Sequence, residues 1–295
     1  MTEPLKPVVT LLAELVKDFV ADAEAAALAR EAGKPRGAIT SLQSLDDALG
    51  GYLAPGVHIL QAAPGAGKTA FALQVASDCV YPCLYVTSEM GMLELFRRLI
   101  ARQTKTFLGR LKSGELGGTE SRRLALQTIE KLPNLAFMDA TQAYAAPLLI
   151  GDVANDLRTR FKSDHVLIVL DSLQIWAKSA RRVAPEFANT SEYELLNAGL
   201  DAISSVGAKL QCPILAVSHR NRVGNRSEGG LHAAKGSGDL EYGAESVIDL
   251  ARKDEQPDAN GETNIKATMQ KNRHGIPGIS FNFAFSGRLQ SFREV

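Results

Sequence analysis

The sequence predicts an α/β fold with a mainly parallel central sheet, finished by antiparallel C-terminal strands and preceded by a helical arm. Three observations predict it. Short apolar runs alternate with stretches of helical periodicity, the order that builds a parallel sheet covered by helices. One run, Val57 to Leu60, leads into the glycine-rich turn Ala62-Ala63-Pro64-Gly65-Ala66-Gly67-Lys68-Thr69 and then an amphipathic helix to about Cys79. Three further runs end in Glu89, Asp171 and His219, polar groups at the strand ends where open α/β sheets bind ligands.

The elements follow in order. Residues 8 to about 32 form one long helix, with Leu12, Leu15, Val16, Phe19, Ala23, Ala26 and Ala27 at helical spacing. Gly33 and Pro35 stop it, and 33–37 reads as a linker. The arm and linker take residues 1–35, and one domain takes 36–295. After the glycine turn, strand 83–89 is followed by helices from Met92 to about Gln103 and from Thr119 to Leu132. Strand 135–138, helix 146–161, strand 166–171, helix 191–210 and strand 213–219 continue the alternation. Strands near 246–251, 264–270 and 279–285 close the sheet. The arm folds back on its own core or lies on a neighbouring subunit.

Composition sets limits. The 295 residues are 45% hydrophobic and 22% charged, ordinary for a globular protein. No apolar run approaches the roughly 18 residues of a membrane span. The N-terminus MTEPLKPVV lacks the marks of an export signal, so a cytoplasmic setting is expected, without membrane partners. Cys79, Cys83 and Cys212 read as reduced, buried thiols. Net charge is zero, so nucleic-acid binding would have to come from local clusters.

The glycine turn carries specific chemistry. Gly65 and Gly67 let the backbone curl so that successive N–H groups point inward, and the helix N-terminus adds partial positive charge. Ala63, Pro64, Gly65, Ala66, Gly67, Lys68, Thr69 and Ala70 would cradle the phosphates of a nucleoside triphosphate. Lys68 would reach the β- and γ-phosphates, and the Thr69 hydroxyl would ligate Mg²⁺. Ala62 stands where the consensus opens with Gly. Asp171, ending a wholly apolar run, fits an acid that holds Mg²⁺ through water. Glu89 could orient or deprotonate an attacking water, and His219 stands where a γ-phosphate sensor would be placed. Lys271 and Arg273 either form a solvated edge or reach the transferred phosphate of an adjacent subunit. Residues 220–238 form a long connection with Arg220, Arg222, Arg226, Lys235, Gly236 and Gly238. It suits a phosphate backbone, or is simply a solvated loop. A second loop, after Asp171, is expected to carry Lys178, Arg181 and Arg182.

The motifs AAPGAGKT, YVTSEM, VLIVLDSLQ, PILAVSHRNR, KGSGDLEYGAESVIDL and KNRHG, in that order, resemble the ATPase domain of DnaB-type replicative helicases in the RecA-like superfamily. So do the lead-in ITSLQSLDDALGGYLAPG and the stretch LKSGELGGTESRRL, and the resemblance spans about residues 36 to 292. It implies a RecA-like P-loop NTPase core in a hexameric ring, with ATP and Mg²⁺ at subunit interfaces and single-stranded DNA in the channel. By the same resemblance Lys68 and Thr69 are phosphate and magnesium ligands, Glu89 the catalytic base, Asp171 the Walker B acid and His219 the sensor. Lys271 and Arg273 are then supplied in trans, Lys235, Gly236 and Gly238 contact DNA, and the arm docks on the next subunit. A loader or other replication proteins are implied partners. Full-length replicative helicases carry a separate N-terminal domain where this chain has a short arm, which points to a plasmid, phage or mobile element. A different class stays open: a KaiC- or RadA-like ATPase acting as regulator or recombination accessory without unwinding.

Overall fold

A computed structural model describes residues 9–219, 243–254 and 256–295, in two units, Met1–Arg36 and Gly37–Val295. The first unit holds a 3-10 turn, Leu12–Glu14, and helix α1, Leu15–Glu31. The helix stops before Gly33, which takes φ +62°, the left-handed conformation that glycine adopts without cost.

In the second unit the elements run α2 (Gln43–Ala48), β1 (Gly56–Ala62), α3 (Lys68–Asp78), β2 (Cys83–Thr87), α4 (Met92–Thr104), α5 (Leu108–Ser113) and α6 (Gly117–Lys131). Then come β3 (Leu135–Asp139), α7 (Pro147–Arg160), β4 (Leu167–Asp171), α8 (Leu173–Ser179), α9 (Glu192–Leu210) and β5 (Pro213–His219). Four strands complete the order: β6 (Ser246–Arg252), β7 (Glu262–Asn272), β8 (Ser280–Ser286) and β9 (Ser291–Glu294). They form one sheet in the order β3-β2-β4-β5-β1-β6-β7-β8-β9. The pairs from β3 to β6 are all parallel, and those from β6 to β9 are antiparallel.

The central strands read as unbroken apolar runs because both faces are covered. Along β4, Leu167 and Val169 point into one core with α3 residues Phe71, Leu73 and Val75. Ile168 and Leu170 point into the other, with Ile150 and Ala154 of α7 and Ile203 and Val206 of α9. Ser191 caps α9, exchanging bonds with Glu194 in a capping box. All three cysteines are buried.

Three expectations change. β2 ends at Thr87 rather than Glu89, because the Ser88 N–H turns to the Asp171 carbonyl (2.7 Å). The stretch after Asp171 is helical and not a loop. Leu173, Trp176, Ala177 and Ala180 fall at helical spacing and are buried, which fixes α8 and the turn Ala180–Arg182. Its cations are already engaged: Lys178 pairs with Glu192 (2.6 Å), Arg182 donates to the Thr141 carbonyl (2.8 Å) and Arg181 to that of Thr190 (2.5 Å). β9 is an addition. On the buried side chain of Gln74, the amide donates to the Phe292 carbonyl (3.1 Å) and its oxygen accepts the Phe292 N–H (2.7 Å), tying this short edge strand to α3.

His58 joins β1 to β6 at a paired register position, opposite Ser246. Its ring is fully buried. Nε2 donates to the Ala54 carbonyl (2.8 Å), so Nδ1 accepts from the Ser246 hydroxyl (2.8 Å) and the neutral ring is satisfied. Burial pushes its pKa down to about 4, against smaller raising effects of the Ala54 carbonyl and Glu245. The unfolded value is near 6.5, so below that pH the unfolded chain binds a proton the native chain refuses. Stability is therefore lost as pH falls from 6.5 toward 4. At pH 5 the loss from this one residue is about 2 kcal/mol. Denaturant melts at pH 7 and pH 5 should show that pH-dependent loss shrinking by about the same amount in His58→Gln. An unchanged pH dependence would contradict a buried neutral ring.

Candidate active site

Parallel strands deliver their carboxyl ends to a single edge. By register, Ala62 at the end of β1 stands beside His219 of β5, Thr87 of β2 beside Asp171 of β4, and Asp171 beside Val217. The glycine turn leaves β1 at this edge. Gly65 and Gly67 have φ +81° and +88°, the left-handed region that lets the turn curl. The two glycines differ beneath. A Cβ on Gly67 would stand 2.9 Å from the Phe292 ring and 3.2 Å from Phe285, whereas one on Gly65 would meet nothing within 4 Å. The turn therefore rests on the aromatic pair Phe285–Phe292, stacked at 4.5 Å, with Phe71 edge-on to Phe292 at 5.2 Å.

Ala63, Pro64 and Gly65 are exposed at the tip, while Ala66 and Ala70 are buried beneath it. Lys68 opens α3 and is 8% exposed, its ammonium donating to the carbonyls of Ala62 (2.9 Å) and Ala63 (3.3 Å). The Thr69 hydroxyl stands close enough to the Asp171 carboxylate to favour its charged form. Asp171 is 4% exposed, and the Tyr85 phenol donates to its Oδ2 at 2.7 Å. Burial raises the Asp171 pKa; the two hydroxyls and His219 oppose that rise, and Glu89 adds to it. Burial, with the Asp171 charge second, pushes the Tyr85 phenol well up.

Glu89 stands two residues past β2, and its Oε2 lies 3.3 Å from His219 Nε2. Both side chains reach solvent, at 49% and 38% exposure. Gln174 of α8 holds the His219 backbone, accepting its N–H (3.2 Å) while donating to the Ser218 hydroxyl (2.7 Å). Beside the turn lies a cleft of about 340 Å³ lined by Gly65, Arg252, Asp258, Phe285 and Arg288.

Lys271 and Arg273 are elsewhere. β7 runs antiparallel to β6, so its end lies at the opposite edge of the sheet. The Arg273 N–H bonds the Glu245 carbonyl, and the Glu245 N–H bonds Val57 at the start of β1. Five residues of extended strand, roughly 16 Å, separate Val57 from Ala62. The Arg273 guanidinium lies 3.5 Å from Glu245 Oε1, and His274 Nε2 lies 3.0 Å from Oε2. Arg220, Arg222, Arg226, Lys235, Gly236 and Gly238 lie outside the described residues. The structure thus gathers Lys68, Thr69, Glu89, Asp171 and His219, and sets Lys271 and Arg273 apart from them. Sequence reasoning missed Tyr85, Gln174, Glu245 and the cleft arginines. Only Tyr85 left a trace, as a polar-tipped residue in a buried strand.

Fold and site together define a P-loop nucleotide-binding domain of the RecA-like kind. The family model of the DnaB-like helicase C terminal domain matches residues 37–294, and the chain belongs to that family. The replicative DNA helicase DnaB of Treponema pallidum (strain Nichols) is 29% identical over 262 residues, which cover 85% of this chain and 55% of that protein. The chain thus spans about half the length of that relative. A DnaB-like replicative helicase, whose solved structure also addresses its interactions with primase, superposes with a TM-score of 0.76 at 20% identity, over 98% of this chain and 68% of that one. The KaiC-like protein PH0186 from Pyrococcus horikoshii OT3 fits less well, with a TM-score of 0.57 at 15% identity over 88% and 99%. Among the described residues no helix is long and apolar enough to cross a membrane.

The two turn glycines make a test. Gly67→Ala carries both the positive φ and the collision with Phe292, and should cost about 3 kcal/mol of stability. Gly65→Ala carries the φ term alone and should cost about 1 kcal/mol. Denaturant melts that rank the two equally would contradict the aromatic seat beneath the turn.

Proposed function

We propose that this chain is the motor domain of an ATP-driven DNA helicase or translocase, working as a ring-shaped homo-oligomer on single-stranded DNA. The observation that carries the reading is the convergence of Lys68, Thr69, Glu89, Asp171 and His219 on one sheet edge. The turn and the N-terminus of α3 receive the phosphates, and Lys68 exchanges its two loop carbonyls for the β- and γ-phosphate oxygens. Arg252, Arg288 and Phe285 stand in the adjacent cleft, suited to the rest of a nucleotide.

The donor set fits magnesium. Thr69 and Asp171 offer a hydroxyl and a carboxylate close to one another, hard oxygens of the type Mg²⁺ takes. When bound, the cation neutralises charge on the β- and γ-phosphate oxygens. Glu89 orients the attacking water and accepts its proton. His219 shares the Glu89 carboxylate and senses the γ-phosphate from the neighbouring strand end.

Lys271 and Arg273 act on the nucleotide of a neighbouring copy. Their own turn is too far for an arginine side chain, so they serve a phosphate only where another subunit presents one. An apolar groove of about 490 Å³, lined by Met92, Phe96, Leu99, Ile129, Leu132 and Phe137, supports contact with another chain. The basic stretch with Arg220, Arg222, Arg226 and Lys235 follows β5 in sequence and is our DNA-contacting segment, with Gly236 and Gly238 offering N–H donors. A hexamer, a cytoplasmic setting and a loader or other replication proteins complete the reading. The runner-up, a KaiC- or RadA-like regulator that does not unwind, shares the hydrolysis site.

The two separate in one pair of assays. ATP hydrolysis should rise several-fold with single-stranded DNA, about 10-fold in favourable conditions, and a forked duplex should open only with ATP. Lys68→Ala should melt like the parent and lose both activities. Hydrolysis indifferent to DNA, with the fork left closed, would favour the regulator.

A further inference from the structure

The hydroxyl of Tyr85 has no packing reason to exist. Its ring sits at the centre of β2, fully buried and edge-on to Phe137 at 5.7 Å. A phenylalanine would fill the same space. By register Tyr85 pairs with Val169, so Asp171 is the next residue of β4 on that face, diagonally ahead toward the carboxyl edge. The phenol reaches along that diagonal and donates to Asp171 Oδ2 at 2.7 Å, a bond sealed from solvent.

We propose that Tyr85 is a positioning residue for the divalent cation, holding the Asp171 carboxylate in the orientation that lets it work with Thr69. The proposal rests on the reading of Asp171 and Thr69 as the cation's side chains. A carboxylate on a strand end swings about two torsions; one buried bond at Oδ2 removes that freedom before the cation arrives. The donor is uncharged, which matters. A lysine or arginine in its place would fix the same oxygen but compete with the cation for the carboxylate's charge. The phenol fixes the geometry and leaves that charge in place. The half-buried Thr69 hydroxyl acts on the same carboxylate, so Asp171 has a buried anchor in Tyr85 and a second hydroxyl beside it.

The test reads metal affinity directly. The full chain is saturated with a non-hydrolysable ATP analogue and titrated with Mn²⁺, the free ion being followed by its electron paramagnetic resonance. Tyr85→Phe should weaken Mn²⁺ binding about 10-fold, the lower end of what loss of such a supporting group costs. Affinity for the analogue in EDTA should stay at the parental value, which general distortion of the site would not allow. A cooperative thermal melt confirms the fold, and Tyr85→Met, filling the volume with an adaptable chain, serves if the first variant fails to fold. Asp171→Asn separates the layers of the argument. If Asp171→Asn loses Mn²⁺ while Tyr85→Phe stays within about two-fold of the parent, the positioning role is wrong and the site stands. If Asp171→Asn binds Mn²⁺ like the parent, the cation assignment itself fails and takes this inference with it.

Discussion

Strand direction is the constraint from which the other features follow. Six adjacent strands, β3 to β6 in sheet order, run the same way, and a parallel strand can be reached only by a crossover that returns to its starting edge. Every carboxyl end therefore opens at one edge, and residues as far apart as Lys68, Glu89, Asp171 and His219 become neighbours without any local signal to bring them together. The direction reverses at β7, and the reversal carries Lys271 and Arg273 to the other edge. One chain thus presents a receiving edge and a basic edge on opposite ends of its sheet. In our account a ring places the basic edge of one copy against the receiving edge of the next.

The antiparallel end does more than reverse direction. Phe285 of β8 and Phe292 of β9 form the floor on which Gly67 rests, and Gln74 of α3 pairs with the Phe292 backbone. The glycine turn is thereby braced by strands more than 200 residues away in sequence. Tight interiors transmit small displacements. A change at the C-terminal strands would reach the glycine turn through the aromatic rings beneath it rather than through the chain.

How much of this was legible in the sequence follows from where each signal lives. The eight longer strands and the glycine turn are written locally, in apolar runs and in turn residues with fixed offsets, and they were read. β9 was not, because Ser291–Glu294 is short, with three of its four residues polar, and is held by tertiary bonds, its pairing with β8 and the Gln74 side chain. α8 was taken for a basic loop because its three cations overshadowed the buried spacing of Leu173, Trp176, Ala177 and Ala180. Strand-end residues were legible through position alone, while Tyr85 and Gln174, which hold them, act across strands and leave no spacing to find. Glu245, which pairs with both Arg273 and His274, was hidden for the same reason.

The central claim is that a complete hydrolysis site takes its receiving edge from one copy and its basic edge from another. Mixing two inactive proteins tests it most directly. Glu89→Ala lacks the carboxylate to which we assign the attacking water but keeps the basic edge, and Arg273→Ala has the opposite defect. Combined under conditions where subunits are shown to exchange, some interfaces regain an intact Glu89 opposite an intact Arg273. The account predicts that ATP hydrolysis reappears in the mixture, rising with the proportion of such interfaces. A mixture that exchanges subunits and stays as inactive as its parents would contradict a site shared between copies.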